Sequence, residues 1–250
     1  FGRSALQNNT TGSNNAGFGY IALKANTTGI NNTAIGSQTL DVNTTGSNNT
    51  GVGYNALGLN TTGSDNTAVG GALVDNTTGI RNVGIGSGAA ASNTTSSNLV
   101  AVGYRALNQN SSGHSNVAVG ADSLRYNTSG VYNIGIGYNC LQTNTSGSYQ
   151  IGIGNSALGN NTTGHSNVAV GDQALLSCTE ATSSVAIGKE ALKDATTGGL
   201  NTAVGFKSME NTTTGYYSVA VGGYAGDNMT TGHSNVYIGD NAGNTHATGY

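Results

Sequence analysis

Ser184-Val185-Ala186-Ile187-Gly188 is the stretch that decides the fold of this chain, because close copies of it recur at a nearly fixed interval. The preceding copy, at 167–171, reads Asn-Val-Ala-Val-Gly, and the following copy, at 201–205, reads Asn-Thr-Ala-Val-Gly. The glycines that close the copies are Gly2, Gly19, Gly36, Gly53, Gly70, Gly86, Gly103, Gly120, Gly137, Gly154, Gly171, Gly188, Gly205, Gly222 and Gly239. Each follows the one before it by seventeen positions, except Gly86, which follows Gly70 by sixteen. Such a period predicts a solenoid in which each repeat forms one coil.

Each copy has the pattern of a short β-strand. In the copy that ends at Gly36, the β-branched residues Thr33 and Ile35 flank Ala34. Alternate residues of a strand share a face, so one face is β-branched and the other carries only Ala or Gly, except at Tyr237. We therefore predict an all-β fold, a parallel β-solenoid or β-roll of about fifteen 17-residue coils.

Two further signals recur in the coil. An Ala-Leu pair such as Ala56-Leu57 follows most strands and is expected to supply a core leucine. An Asn-Thr-Thr-Gly turn, as in residues 43–46, comes next. Asn and Gly are turn residues, since Gly accepts positive φ and Asn bonds its own backbone. The same asparagine is also placed to form a side-chain ladder between coils.

Composition excludes several classes of protein. The chain has 41 Gly, no Pro, only 8% charged residues and a net charge of −3. Nucleic-acid binding needs a basic face, and a membrane helix needs about 20 apolar residues, so we expect neither nucleic-acid partners nor membrane insertion in this segment. Disorder is unexpected because the apolar pattern is strict. Residues 1–250 should form a single repeat array, and its start and end in mid-repeat indicate part of a longer chain.

No catalytic, cofactor-binding or metal constellation interrupts the repeat, and we therefore expect a protein that is not an enzyme. Gly51-Val52-Gly53 lacks the helix that a phosphate loop needs. His114, His165 and His233 share one register in Gly-His-Ser-Asn but lie three and four coils apart. Within one chain they are too distant to share a metal, although symmetry mates in a trimer could meet. They are interpreted as surface turn residues.

The two cysteines are expected to stay unpaired. Cys140 takes the register of Ala157 and is interpreted as a small apolar filler. Cys178 lies in another register about two coils on, roughly 10 Å away along the axis, which exceeds the ~7 Å that a disulfide spans. The coil of residues 176–184 lacks the Asn-Thr-Thr-Gly turn and is the most irregular one.

Two sets of residues are candidate surface sites. The first asparagine of the turn begins a glycosylation sequon in most coils, although the same residues build a turn without any sugar; these are Asn9, Asn26, Asn43, Asn60, Asn76, Asn93, Asn110, Asn127, Asn144 and Asn161. Tyrosines just after the strand glycine could contact a partner, or could occupy a tolerant outer position; these are Tyr20, Tyr54, Tyr104 and Tyr138.

The strand motifs at 184–188 and 218–222 resemble the head repeats of YadA-like trimeric autotransporter adhesins, and related repeats in phage or viral tail fibres. The resemblance covers the whole chain but rests on one five-residue motif per repeat. It implies a left-handed parallel β-roll, three chains packed side by side, surface exposure and adhesion to a host or glycan ligand. The family's repeat is shorter, and the Asn-Thr-Thr-Gly turn is an addition.

The function expected from the sequence is a structural or adhesive extracellular fibre segment on a cell or virion surface, such as an adhesin head or tail-fibre shaft. A self-assembling filament subunit with coils stacked end to end is the alternative. An ice-binding solenoid is a third hypothesis, suggested by Thr33, Thr50 and Thr67, which are aligned but give way to valine in later coils. The orientation of the strand decides between self-association and a monomer. If the Ala/Gly face points inward, the β-branched face is exposed as an association surface. If the β-branched face points inward, the flat Ala/Gly face lies outside and a monomer is possible.

Overall fold

The computed structural model describes residues 2–244, which belong to two units that meet between Ala121 and Asp122 in the sequence. Both units are parallel β-solenoid, and no helix occurs among the described residues. The strands of the first unit are β1 (Ala16–Phe18), β2 (Thr33–Ile35), β3 (Thr50–Val52), β4 (Thr67–Val69), β5 (Val83–Ile85), β6 (Val100–Val102) and β7 (Val117–Val119). Those of the second are β8 (Ile134–Ile136), β9 (Ile151–Ile153), β10 (Val168–Val170), β11 (Val185–Ile187), β12 (Thr202–Val204), β13 (Val219–Val221) and β14 (Val236–Ile238).

Within each unit every strand pairs in parallel with the next strand along the chain, at the register that the period predicts. Ala34 lies opposite Gly51, and Val168 lies opposite Val185, one full period away in both cases. The single shortened interval does not disturb the ladder, because Thr67 still pairs with Val83. The deletion is therefore absorbed outside the strand.

The coil number is slightly lower than the sequence count. Fifteen closing glycines predicted about fifteen coils, whereas the fourteen described strands correspond to about 13 turns of about 17 residues. The difference arises at the start of the chain, where Gly2 follows Phe1, a residue outside the described part. In addition, a complete turn runs from one strand to the next, so fourteen strands enclose only about 13 turns.

The strand turns its small residues inward. Ala34, Ala101 and Ala169 have no exposed surface, whereas Ile35 keeps 44% of its surface exposed and Val170 is half-buried. The burial pattern of buried centre and exposed or half-buried flanks repeats from β2 to β7 and from β8 to β13. The question that the sequence left open is thus answered: the Ala/Gly face lines the coil interior.

The interior of each coil is built around the Ala-Leu pair. Ala22 and Leu23 are fully buried, as are equivalent pairs such as Ala56 and Leu57, which confirms the predicted core leucine. Leu23 has φ of 52°, and Leu40 and Leu57 have φ of 51° and 54°. Left-handed backbone costs an L-residue roughly 1–2 kcal/mol, so the burial of each leucine, worth about 1.5–3 kcal/mol, offsets the strain of its conformation.

The last strand, β14, carries a large residue at the inward position, and glycines in the leucine register of the adjacent turns make room for it. Tyr237 stands where the other strands carry Ala or Gly, while Gly226 and Gly243 stand in the register of Leu192 and Met209. A Cβ atom added to Gly226 would lie 2.7 Å from Cδ2 of Tyr237. The tyrosine ring therefore takes the core volume that leucine fills in the preceding coils.

Candidate interaction surfaces

The first and third residues of the strands form an outward stripe along each unit. In the first unit the stripe comprises these residues of β2–β7, and in the second unit those of β8–β13. Ile85 and Val119 in the first unit, and Ile136 and Ile187 in the second, have exposed side chains. Soluble proteins seldom leave long contiguous apolar surfaces uncovered unless they bind something there. The outward stripe is therefore the main candidate for an interaction surface.

A ladder of buried asparagines holds the coils behind this stripe. Asn26 Nδ2 donates to Asn9 Oδ1 at 2.7 Å and to the carbonyl of Gly29 at 3.0 Å. Asn43 repeats both bonds one coil later, to Asn26 Oδ1 and to Gly46. The asparagine of the Asn-Thr-Thr-Gly turn thus forms the side-chain ladder that the sequence suggested.

A second amide ladder, just before the strand, was missed. Asn49 donates from its backbone N–H to Asn32 Oδ1 at 3.0 Å and from Nδ2 to the Gly63 carbonyl at 2.8 Å. Asn66 makes the equivalent bonds to Asn49 and Gly79. The signal was present, because an asparagine precedes the strand in most copies of the motif. Two ladders satisfy the buried polar groups of a core that contains few large apolar side chains.

The predicted glycosylation sites lie mostly inside the coil. Of the ten candidate asparagines, all except the half-buried Asn9 are fully buried. A glycan is attached to the side-chain amide nitrogen, and in Asn43 that nitrogen is engaged in the ladder. The folded coil therefore has no room for a sugar at Asn26, Asn43, Asn60, Asn76, Asn93, Asn110, Asn127, Asn144 or Asn161. Asn31 and Asn48 begin Asn-Asn-Thr sequons that sequence reasoning overlooked, and their side chains are exposed.

The four candidate tyrosines are all exposed, as expected for outer positions. Tyr54 keeps 68% of its surface, and Tyr20, Tyr104 and Tyr138 are similarly open. The Arg105 guanidinium lies 4.7 Å from the centre of the Tyr104 ring. Tyr20, Tyr54 and Tyr104 lie two or three coils apart, so the structure does not bring these three together into one site.

A different pair of tyrosines does meet. Tyr132 and Tyr149 are one full repeat apart, and their rings stack with centroids 5.3 Å apart and planes at 14°. Beside them is a groove of about 380 Å³ lined by Ser146, Ser148, Tyr149, Thr163, His165 and Ser166. Sequence reasoning missed this cluster, although the spacing of one full coil between two tyrosines was a sufficient signal.

The histidines lie on the surface turns, where they were expected. His165 Nδ1 lies 3.4 Å from Ser166 Oγ, and His114 Nδ1 lies 3.2 Å from Ser115 Oγ. His233 stacks on Tyr216, with ring centroids 4.9 Å apart. Across residues 2–244, no group of three or more His, Cys, Asp or Glu side chains is arranged to hold a metal ion.

Both cysteines are free thiols, as predicted, and both are buried; burial was predicted only for Cys140. Burial raises the pKa of the Cys140 thiol and of the Cys178 thiol to about 12. Cys178 occupies the ladder position of Asn161, whose Oδ1 lies 3.5 Å from its Sγ. The irregular coil keeps the usual turn, because Thr179 N–H still donates to the carbonyl of Thr196.

The second unit also carries a charged cluster on the turns that follow β10–β12. Lys207 Nζ lies 3.1 Å from carboxylate oxygens of both Glu190 and Glu210, and Lys189 Nζ lies 3.7 Å from Asp172. The hydrogen bond from Lys207 holds the pKa of the Glu190 carboxyl below its ordinary value. The pairs Lys207–Glu190 and Lys189–Asp172 link neighbouring coils, whereas Lys207–Glu210 lies within one coil. Surface pairs of this kind contribute little to stability.

Thr33, Thr50 and Thr67 lie in register on the outward stripe of the first unit. Thr44 and Thr45, from the turn, differ in their surroundings: Thr44 Oγ1 donates to the carbonyl of Thr61 at 3.0 Å, whereas Thr45 is exposed. The turn threonines thus do not present one flat array. Ice binding stays a hypothesis that would rest on the strand threonines alone.

No protein-family model, no curated protein and no solved structure matches this chain. The resemblance to the head repeats of trimeric autotransporter adhesins stays a prediction from the residues of the motif. Within residues 2–244, no helix has the length and apolar character to cross a membrane.

Proposed function

We propose that this chain is a structural and adhesive segment of an extracellular fibre, on a cell or virion surface, whose copies associate side by side as a trimer. The observation that carries the proposal is the orientation of the strand. With Ala or Gly facing the interior, the β-branched residues of each unit face outward in successive coils, as Ile136 and Ile153 do. Association of three outward stripes would remove this apolar surface from water.

The internal hydrogen bonding supports a mechanical or exposed role. Buried amide ladders tie neighbouring coils together, as between Asn43 and Asn60 at 2.8 Å. Such networks are stabilising when every member is satisfied. A chain with 8% charged residues also offers few sites for proteases that cleave at lysine or arginine. These properties suit a segment that extends from a surface and presents a repetitive face.

A filament of coils stacked end to end is the second candidate. Each strand pairs in parallel and in register with the next strand along the chain, as Val168 does with Val185. The same pairing would join the last coil of one copy to the first coil of another.

Electron microscopy of the purified chain tests the proposal and separates the two modes of assembly. Side-by-side association predicts particles of fixed length that contain three parallel solenoids. End-to-end stacking predicts filaments of variable length and the width of one solenoid. Single, unassociated chains at micromolar concentration would contradict both.

A further inference from the structure

We propose that the groove beside Tyr149 is a binding site for a neutral, linear oligosaccharide. The groove belongs to the unit of residues 122–250, and none of its lining residues is part of the outward stripe. The biological setting of such a site rests on the proposed function. The site adds the chemical class of the target to which the segment would adhere.

The groove lies at a position of the repeat that varies from coil to coil. Two residues before the strand, the first three coils carry amides that bond one another, Asn14 to Asn31 at 3.2 Å and Asn31 to Asn48 at 3.1 Å. In the second unit Tyr132 and Tyr149 take this position. Coil stacking does not require an aromatic side chain there, since asparagine serves the same backbone conformation, with φ of 58° at Asn31 and 60° at Tyr149.

Tyr149 presents an open aromatic surface beside the groove. Its ring stacks on Tyr132, and 60% of its surface remains exposed. A tyrosine offers an apolar ring face together with a hydroxyl group. The C–H face of a pyranose ring can pack on such a surface while the sugar hydroxyls remain free to form hydrogen bonds.

The remainder of the lining supplies neutral hydrogen-bonding groups. Ser146, Ser148, Thr163 and Ser166 contribute hydroxyls, and His165 contributes an imidazole. Ser148 Oγ already accepts from the Val131 N–H at 3.0 Å, and His165 Nδ1 lies 3.4 Å from Ser166 Oγ. A hydroxyl has one donor and two acceptor positions, and an imidazole has a second ring nitrogen, so these bonds leave hydrogen-bonding capacity for a ligand. No Asp, Glu, Lys or Arg is among the described residues that line the groove, so its chemistry favours a neutral polyol over an anion or a cation. The volume of about 380 Å³ lies within the range of small-ligand sites.

The arrangement of the lining favours a linear ligand. The groove is made of three register pairs from two adjacent coils: Ser146 with Thr163, Ser148 with His165, and Tyr149 with Ser166. Adjacent parallel strands lie about 4.8 Å apart, which is close to the length of one pyranose unit. Equivalent polar groups thus recur at the spacing of successive sugar rings. An extended peptide is the competing occupant, and the test includes it.

A printed array of neutral linear oligosaccharides, including cello- and chito-oligosaccharides, tests the proposal, with decaproline as the peptide probe. We expect the full chain to bind at least one neutral oligosaccharide and not decaproline. Tyr149→Asn, which restores the asparagine of the first unit, should weaken binding at least about tenfold, which corresponds to about 1.4 kcal/mol. Tyr149→Phe keeps the ring and should retain most of the binding.

Tyr54→Asn is the matched control, because Tyr54 is also highly exposed but lies outside the groove. This control variant should bind the oligosaccharide as tightly as the unmodified chain does. Melting temperatures would establish that all variants are folded. Binding to no neutral sugar, equal binding by Tyr149→Asn, or a preference for decaproline would each overturn the inference. The molar mass of the same samples keeps this outcome separate from the proposed assembly, since a trimer that binds no sugar would refute only the groove.

Discussion

Asn43 Nδ2 lies 2.8 Å from Asn26 Oδ1, and Asn43 Oδ1 in turn accepts from Asn60 Nδ2 at 2.8 Å. All three side chains are fully buried. One amide therefore joins the coil before it to the coil after it, and its third bond closes its own turn at Gly46. Cohesion between coils in this protein therefore includes hydrogen bonds between buried amides in addition to apolar packing.

Replacing one asparagine of this ladder should lower the free energy of unfolding. Asn43→Ala leaves the buried Asn26 Oδ1 without its donor and removes the bond to Gly46. Each unsatisfied buried group costs about 1–3 kcal/mol, so we expect the free energy of unfolding in urea to fall by at least that amount. The exposed neighbour Thr45→Ala should change it by less than about 0.5 kcal/mol. Similar values for the two variants would contradict the ladder's role.

The orientation of the strand can be tested with two adjacent residues. Ala169 is fully buried and Val170 faces outward. Ala169→Leu should lower the free energy of unfolding by about 1–3 kcal/mol or more, because a packed interior does not accept extra methylenes. Val170→Leu should be nearly neutral. Thermal unfolding at low protein concentration compares them, and the reverse order would mean that the β-branched face points inward.

Tyr237 and Gly226 should be energetically coupled. Tyr237→Ala should destabilise by less than the ~3–5 kcal/mol of a fully buried aromatic side chain, because Tyr237 is half-buried. Gly226→Leu alone should also destabilise, because its Cβ would meet the tyrosine ring. The double variant restores the leucine of earlier coils at a position whose φ of 63° is close to the 54° of Met209. It should be more stable than the sum of the single effects predicts; strict additivity in a double-mutant cycle would refute the compensation.

The buried thiols should make stability decline in alkaline solution. The pKa of Cys140 and of Cys178 rises from an ordinary value of 9.0 to about 12 in the folded chain. The unfolded chain therefore loses these protons first, and the thiol contribution to stability is complete below pH 9 and is lost as the pH rises toward about 12.

The variant Cys140→Ala/Cys178→Asn places in each position the residue that the repeat uses in a neighbouring coil. Unfolding measured between pH 8 and 11 should show a smaller loss of stability for this variant than for the unmodified chain. Identical pH profiles, or rapid reaction of native Cys140 with a thiol reagent at pH 8, would contradict the burial of the thiols.

Much of the fold could be predicted because one period controls it. The strand, its register and the core leucine follow from residues such as Ala56, Leu57 and Gly36. The orientation of the strand was not predicted, because both of its faces are apolar in copies such as residues 168–170, and the threonines at the first strand position, such as Thr33, give way to valine or isoleucine in other copies. Packing decides the orientation: at Gly152, in the same register as Ala169, an added Cβ would lie 3.4 Å from Leu141 Cδ1, so this face of the strand lies against the core leucine.

The candidate sites were less predictable for a related reason. A motif such as Asn-Thr-Thr-Gly predicts both a turn and a sequon, and sequence alone does not tell which side of the turn its asparagine faces. Asn43 faces inward, so the ladder is present and the glycan is excluded. The Tyr132–Tyr149 pair, by contrast, was predictable from its spacing of one full coil, because that spacing places the two rings next to each other in a stacked solenoid.

The molar mass of the chain in solution, measured by light scattering, tests the proposed assembly most directly. For the unmodified chain we predict a mass three times the 24.8 kDa of one chain. For a variant that carries lysine on the outward stripe at positions 136, 153 and 187, we predict the mass of a single chain and an unchanged circular dichroism spectrum. A control with lysine at the exposed positions 129, 160 and 228 adds the same charge and should remain a trimer. A monomeric parent chain, or a stripe variant that keeps the parent mass, would contradict side-by-side association through the strands.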